Sequence, residues 1–89
     1  MNVLEKAIEV YGSDLQKQVA IEEMSELIKE ICKDFRGKGN KHFIIEEIAD
    51  VQIMMQQLLI IYGISATELS IATKLKLDRL EKRFANEDN

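Results

Sequence analysis

Proline is absent from this chain, and its four glycines, Gly12, Gly37, Gly39 and Gly63, stand at only three places. Without proline there is no obligatory helix stop. Glycine, which accepts the left-handed conformation at a helix end, then marks the boundaries. The three breaks divide the sequence into four segments, each with helical periodicity. From Val3 to Tyr11, Leu4, Ala7, Ile8 and Tyr11 recur at helical spacing, with Gly12 as the stop. Ser13 with Gln16 has the pattern of a capping box and predicts a second helix running to about Phe35. Val19, Met24, Leu27, Ile28, Ile31 and Phe35 form its apolar stripe. Arg36 to Lys41 is the one clear loop. A third helix is expected from about Phe43 to Tyr62, ending at Gly63. Ser65 with Glu68 is a second capping-box signature, opening a fourth helix to about Phe84, with Asn86 to Asn89 expected to fray.

The fold class is therefore all-α: an antiparallel helical hairpin with a short helix before it and a longer one after. The 89 residues allow one domain, spanning residues 1–89. The third helix carries Ile44, Ile48, Val51, Met55, Leu58 and Tyr62 on one side and Ile45, Ile53, Leu59 and Ile60 elsewhere. A helix that is apolar nearly all round belongs in an interior. In so short a chain one set of neighbours cannot easily cover it. A partner subunit is the natural cover, so that oligomerisation completes a four-helix-bundle core around residues such as Ile53, Leu58 and Ile61. A small domain needs such help, since it buries only about 60% or a little more of its unfolded surface. Cys32 is the only cysteine, which leaves no disulfide and fits a reducing cytosol; a cytoplasmic location is expected. No N-terminal apolar run resembles a signal peptide. The apolar stretch from Val51 to Tyr62 is interrupted by Gln52, Gln56 and Gln57 and is too short to span a bilayer.

A net charge of −4 argues against general affinity for nucleic acid. Lys33, Arg36, Lys38 and Lys41 gather around the central loop, and Lys74, Lys76, Arg79, Lys82 and Arg83 near the C-terminus. The acids are more informative. Glu23 and Glu26 are spaced i, i+3 on the second helix, and Glu47 and Asp50 likewise on the third. Residues three apart share a helix face, with Cβ atoms roughly 5–6 Å apart. Singly, each pair is more often a solvated face than a ligand set. Yet the chain between Glu26 and Glu47 is long enough for a helix end, a loop and a return, so the pairs can meet across the hairpin. Four carboxylates in one small volume repel one another unless protons or cations intervene. Hard oxygen donors without His or Cys suit Mg²⁺, with Mn²⁺ as the alternative. Glu22, Glu30 and Glu46 are either outer ligands or solvated residues, with the solvated reading ahead for Glu30. His42 is expected to be an exposed loop residue, Cys32 a small core or boundary residue, and Met24, Met54 and Met55 packing residues. A single histidine argues against a di-iron bundle.

The run Tyr11-Gly12…Gln16…Glu22-Glu23-Met24-Ser25-Glu26-Leu27, followed by Glu46-Glu47-Ile48-Ala49-Asp50-Val51, resembles the MazG-like nucleotide pyrophosphohydrolases of the all-α NTP pyrophosphatase superfamily. The similarity extends from about Tyr11 to Arg83. It implies that Glu23, Glu26, Glu47 and Asp50 bind Mg²⁺ and carry the catalysis. The implied reaction converts a nucleoside triphosphate, (d)NTP, to monophosphate and pyrophosphate. It also implies phosphate contacts from cations on the helix after the second motif, where Lys76 and Arg83 match best, with Arg79 close by. Leu80 stands where many relatives carry Asn between those positions. The expected assembly is a homodimer or homotetramer, without nucleic-acid or membrane partners. A metal-bound or carboxylate-oriented water is the expected nucleophile, since no Ser/His/Asp or Cys/His arrangement supports a covalent route. The competing expectation is a non-catalytic helical module that binds nucleotide or another protein.

Overall fold

The computed structural model describes residues 2–87. Four helices follow in order: α1 (Val3–Tyr11), α2 (Ser13–Phe35), α3 (Lys41–Ile61) and α4 (Ala66–Glu87). Among the described residues there is no strand, so the fold is all-α. Asn2 caps α1 by accepting from the Glu5 N–H at 2.9 Å. Gly12, at φ 89°, makes the corner into α2. The Ser13–Gln16 capping box does not form: Gly12 holds the cap position without a side-chain bond, and Gln16 is drawn into the interior instead. Asn40 caps α3, accepting from the Phe43 N–H at 3.2 Å, which starts the helix at Lys41, earlier than the expected Phe43. The Ser65–Glu68 box does form, with the Glu68 N–H donating to Ser65 Oγ at 3.1 Å and Ser65 Oγ 3.1 Å from Glu68 Oε1. α4 continues through Asn86 to Glu87, past its expected end, because no breaker follows Phe84. Asp88 and Asn89, also expected to fray, lie outside the described residues.

α2 and α3 pack as the hairpin, and α1 packs against both. The buried and half-buried positions of α2 include Gln16, Ala20, Glu23, Leu27 and Glu30; on α3 they include Ile44, Glu47, Val51, Met54, Leu58 and Ile61. Alternating steps of three and four are the spacing of a coiled-coil seam. This face corrects the apolar stripe expected on α2, since Ile28 is 61% and Phe35 87% exposed. Ala20 and Met54 are the only buried apolar residues among the described ones. α3 is not covered all round within one chain, because Ile45, Ile48, Ile53, Met55 and Ile60 remain exposed.

α4 departs from α3 at a bend of 118° and makes no close backbone approach to α1, α2 or α3. It leaves Leu69, Ile71, Leu75, Leu77, Leu80 and Phe84 exposed. The radius of gyration is 16.8 Å, against about 12 Å for a compact domain of this length. The accessible surface is 7123 Å², against about 5,300 Å² from the mass scaling of folded monomers. Among the described residues, no single helix is long and apolar enough to cross a membrane.

Candidate metal centre

The register of the hairpin builds the site. Gln57 Nε2 donates to Gln16 Oε1 at 3.1 Å, and both residues are buried in the seam. Seven residues on from Gln16 along α2 stands Glu23; seven back from Gln57 along α3 stands Asp50. Seven residues are nearly two full turns, so each step stays on one face. Because the helices run antiparallel, equal steps keep opposite partners opposite, and Glu23 meets Asp50. Glu47, one turn before Asp50, joins them. One carboxylate oxygen from each of Glu23, Glu47 and Asp50 lies within 4.8 Å of the others. Glu23 and Glu47 are half-buried and Asp50 is exposed, so the group lies at an accessible edge of the hairpin.

Electrostatics follows from this crowding. Burial raises the Glu23 pKa above the ordinary carboxylate range. The Asp50 charge, a hydrogen bond shared with the Asp50 carboxyl, and the charges of Glu47 and Glu26 raise it further. Burial also raises Glu47, reinforced by Asp50, Glu26, Glu30 and Glu46. Glu47 Oε2 is buried without a hydrogen-bond partner. No Lys or Arg forms an ion pair with Glu23, Glu47 or Asp50 among the described residues. A buried acceptor left unsatisfied costs about 1–3 kcal/mol. Oxygen donors without a countercharge fit a hard divalent cation such as Mg²⁺ or Mn²⁺.

Glu26, the fourth expected ligand, is exposed and stands outside the group of three, though its charge reaches Glu23 and Glu47. Glu30 is not solvated as expected. It is only 7% exposed, accepts from Lys33 Nζ at 3.1 Å through Oε1, and leaves Oε2 buried without a partner. Its place seven residues after Glu23 puts it on the same seam. Glu22 is exposed. Glu46 is exposed, with its Oε1 3.0 Å from His42 Nε2. His42 lies in the first turn of α3 rather than in the loop. Cys32 is exposed, not a core or boundary residue, because it lies off the seam. Met54 is core and Met24 half-buried, but Met55 is exposed.

Lys76, Arg79, Leu80 and Arg83 line one shallow depression on α4. The sharing of a face expected from their spacing is present, but the helix does not bring these cations to the acids of its own chain. The buried Gln16–Gln57 pair was not foreseen, nor was the stacking of Lys17 Nζ 4.9 Å from the Tyr62 ring centre. The heptad steps from Gln16 to Glu23 to Glu30 were the available signal. Comparison of the chain with protein-family models, with curated proteins and with solved structures gives no match.

Proposed function

We propose that this chain is a Mg²⁺-dependent nucleotide pyrophosphohydrolase of the MazG-like kind, cleaving a nucleoside triphosphate to monophosphate and pyrophosphate. The observation that carries the reading is the meeting of Glu23, Glu47 and Asp50 within 4.8 Å, with no cation ion-paired to them among the described residues. The motif resemblance supplies the reaction; the crowding of uncompensated acids supports its metal requirement. Glu23, Glu47 and Asp50 would hold the cation, with Glu26 at the rim reaching it through water. Bound there, a divalent cation supplies charge neutralisation for a polyphosphate and lowers the pKa of an attacking water. The carboxylates orient that water and accept its proton. Burial and mutual repulsion raise the proton affinity of Glu23 and Glu47, so protons would compete with a cation for the same oxygens.

Assembly belongs to the same proposal. The surface surplus of about 1,800 Å² over a compact monomer and the unpacked α4 favour a homodimer or homotetramer. Covering α4 and the outer face of α3 would complete a four-helix-bundle core. The open apolar groove at the α3–α4 elbow, lined by Leu59, Ala66, Leu69 and Leu77, is part of that interface. In the assembly, Lys76, Arg79 and Arg83 reach phosphates from a neighbouring copy's α4. The same exposed apolar residues of α4 are also what a non-catalytic interaction module would present.

The deciding experiment incubates the protein with a panel of ribo- and deoxyribonucleoside triphosphates in Mg²⁺ or Mn²⁺ and identifies the products. Pyrophosphate and monophosphate in equal amounts, lost in Glu47→Gln and Asp50→Asn, are expected. Nucleotide binding without turnover would favour the non-catalytic module. Release of inorganic phosphate and nucleoside diphosphate would refute the stated cleavage.

A further inference from the structure

α4 makes no close backbone approach to the other three helices, yet it is not built as a solvated helix. Ala66, Ser70, Thr73, Leu77, Leu80 and Phe84 follow one another at alternating steps of four and three, and all six are exposed. That alternation is the seam of a coiled coil. Small residues occupy its first half and large apolar ones its second. The Thr73 hydroxyl does not oppose burial, because it already donates to the Leu69 carbonyl at 2.8 Å. Charges sort to the two sides of this stripe. Lys76, Arg79 and Arg83 line a depression beside Leu80 on one flank. Lys74, Asp78 and Glu81 line a groove beside Leu77 on the other. Lys74 is tied to Asp78 at 3.2 Å. Glu81, Lys76 and Arg83 make no ion pair among the described residues. One flank thus offers an unpaired acid and the other unpaired cations.

We infer that α4 of a second copy docks on this stripe, parallel and in register, as a two-fold coiled coil. In such a pair, the residue just before one seam position faces the residue five places further along the other helix. Lys76 then faces Glu81 of the partner subunit, and the two-fold axis makes the pair twice. Reversing one helix brings like flanks together, with Lys76, Arg79 and Arg83 against the same three, and loses both pairs. Charge therefore selects a copy of this chain and sets its direction. The area is sufficient: the surface surplus of about 1,800 Å² per chain exceeds the roughly 800 Å² per partner that a standard interface buries. With α3 turned away by 118°, the chain's own hairpin leaves the stripe open.

This inference rests on the assembly part of the proposed function and on none of its chemistry, so the test uses neither metal nor nucleotide. In the whole chain carrying Cys32→Ser, single cysteines are placed along the seam as Thr73→Cys and Phe84→Cys and oxidised in a glutathione buffer. Lys82→Cys, off the seam, is the control. All three positions are exposed within one chain, and circular dichroism checks that helix content is kept. Thr73→Cys and Phe84→Cys should each form a disulfide-linked dimer alone, and Lys82→Cys should not. Covalent dimers only on mixing the two seam variants would mean a reversed helix and overturn the proposal, as would equal crosslinking at Lys82→Cys. Glu81→Lys and Lys76→Glu should each weaken self-association, measured by sedimentation, by about tenfold, since two pairs are lost. The double variant should restore it; no recovery refutes the pairing. A wild-type oligomer without either seam crosslink overturns the coiled coil and leaves the assembly standing. A wild-type monomer overturns both.

Discussion

The buried Gln16–Gln57 pair makes an asymmetric prediction. Both residues lie deep in the seam, 6% and 3% exposed, joined by one hydrogen bond of 3.1 Å in which Gln57 donates. Gln57 Oε1 is enclosed without a donor. Gln16→Leu removes the acceptor of that bond, leaving Gln57 Nε2 unpaired beside an Oε1 that was unpaired already. The cost is about 1–3 kcal/mol. Gln57→Leu strands Gln16 Oε1 at a similar cost, but also removes the enclosed Oε1 and regains about as much. The apolar gain of a buried Leu is common to both and drops out of the difference. Gln57→Leu should therefore be at least as stable as the wild type, while Gln16→Leu is less stable than Gln57→Leu by about 1–3 kcal/mol. In a domain of this length each kcal/mol shifts Tm by about 4–8 °C. The double Leu variant removes every stranded atom and should be the most stable of the four. Urea titration followed by helical circular dichroism, at one fixed protein concentration and with unchanged m values, measures this. If Gln57→Leu is as damaging as Gln16→Leu, the reasoning fails. The function should move the other way. The pair fixes the register that brings Glu23 to Asp50, and a slip of one turn shifts a side chain by about 5.4 Å. The stable double variant should thus bind Mn²⁺ more weakly.

Asp50→Asn should abolish the Mg²⁺-induced rise in Tm; in the wild type at one hundred times Kd that stabilisation is about 2.7 kcal/mol. A full Mg²⁺ response in the variant would remove Asp50 from the site. Folding raises the proton affinity of Glu23 and Glu47, so the native state binds more protons above their ordinary value of 4.5. Their contribution is present at low pH and lost as pH rises through the raised values. The metal-free Tm should therefore fall from mildly acidic toward neutral pH, and saturating Mg²⁺ should abolish that fall. A metal-free profile that rises across the same range would contradict the crowding. Sedimentation should find a dimer or tetramer at micromolar concentration, and Leu80→Asp with Phe84→Asp should dissociate it; a well-folded wild-type monomer would refute the assembly. Lys76→Ala and Arg83→Ala should raise KM for a triphosphate more than they lower kcat. Unchanged constants for both, and for Arg79→Ala, would take α4 out of the active site.

The four helices are legible because glycine marks each boundary, and Gly12, Gly37 and Gly63 do adopt positive φ. Their ends are less so. Ser13 and Gln16 have the right types and spacing for a cap, as do Ser65 and Glu68, yet only the second pair makes one. The difference is tertiary: Gln16 finds Gln57 across the hairpin, while α4 offers Glu68 no competing partner. The meeting of Glu23 with Glu47 and Asp50 is legible from paired i, i+3 spacing on two segments long enough to return. The enclosure of Glu30 is not, because sharing a face with Glu23 becomes visible only once the register is known. Spacing alone also could not place Glu26 at the rim.

The hairpin seals several polar and acidic residues into its seam and leaves large apolar ones outside. At the five seam positions named on α2, Gln16, Glu23 and Glu30 are polar or acidic, while Ile28 and Phe35 face out. On α3, Glu47 is in the seam and Ile45, Ile53 and Ile60 are outside. Apolar residues in the seam would stabilise an isolated hairpin more, since each enclosed acid carries a desolvation penalty and repels its neighbours. An isolated hairpin is thus not what this sequence favours. On the proposed reading both surfaces would be filled: the acidic positions by cations, whose binding energy would add to folding, and the apolar exterior by another subunit. Metal and partner should then reinforce each other. Each orders the α2–α3 pair that the other needs, so that added Mg²⁺ should tighten self-association and dilution should weaken metal binding.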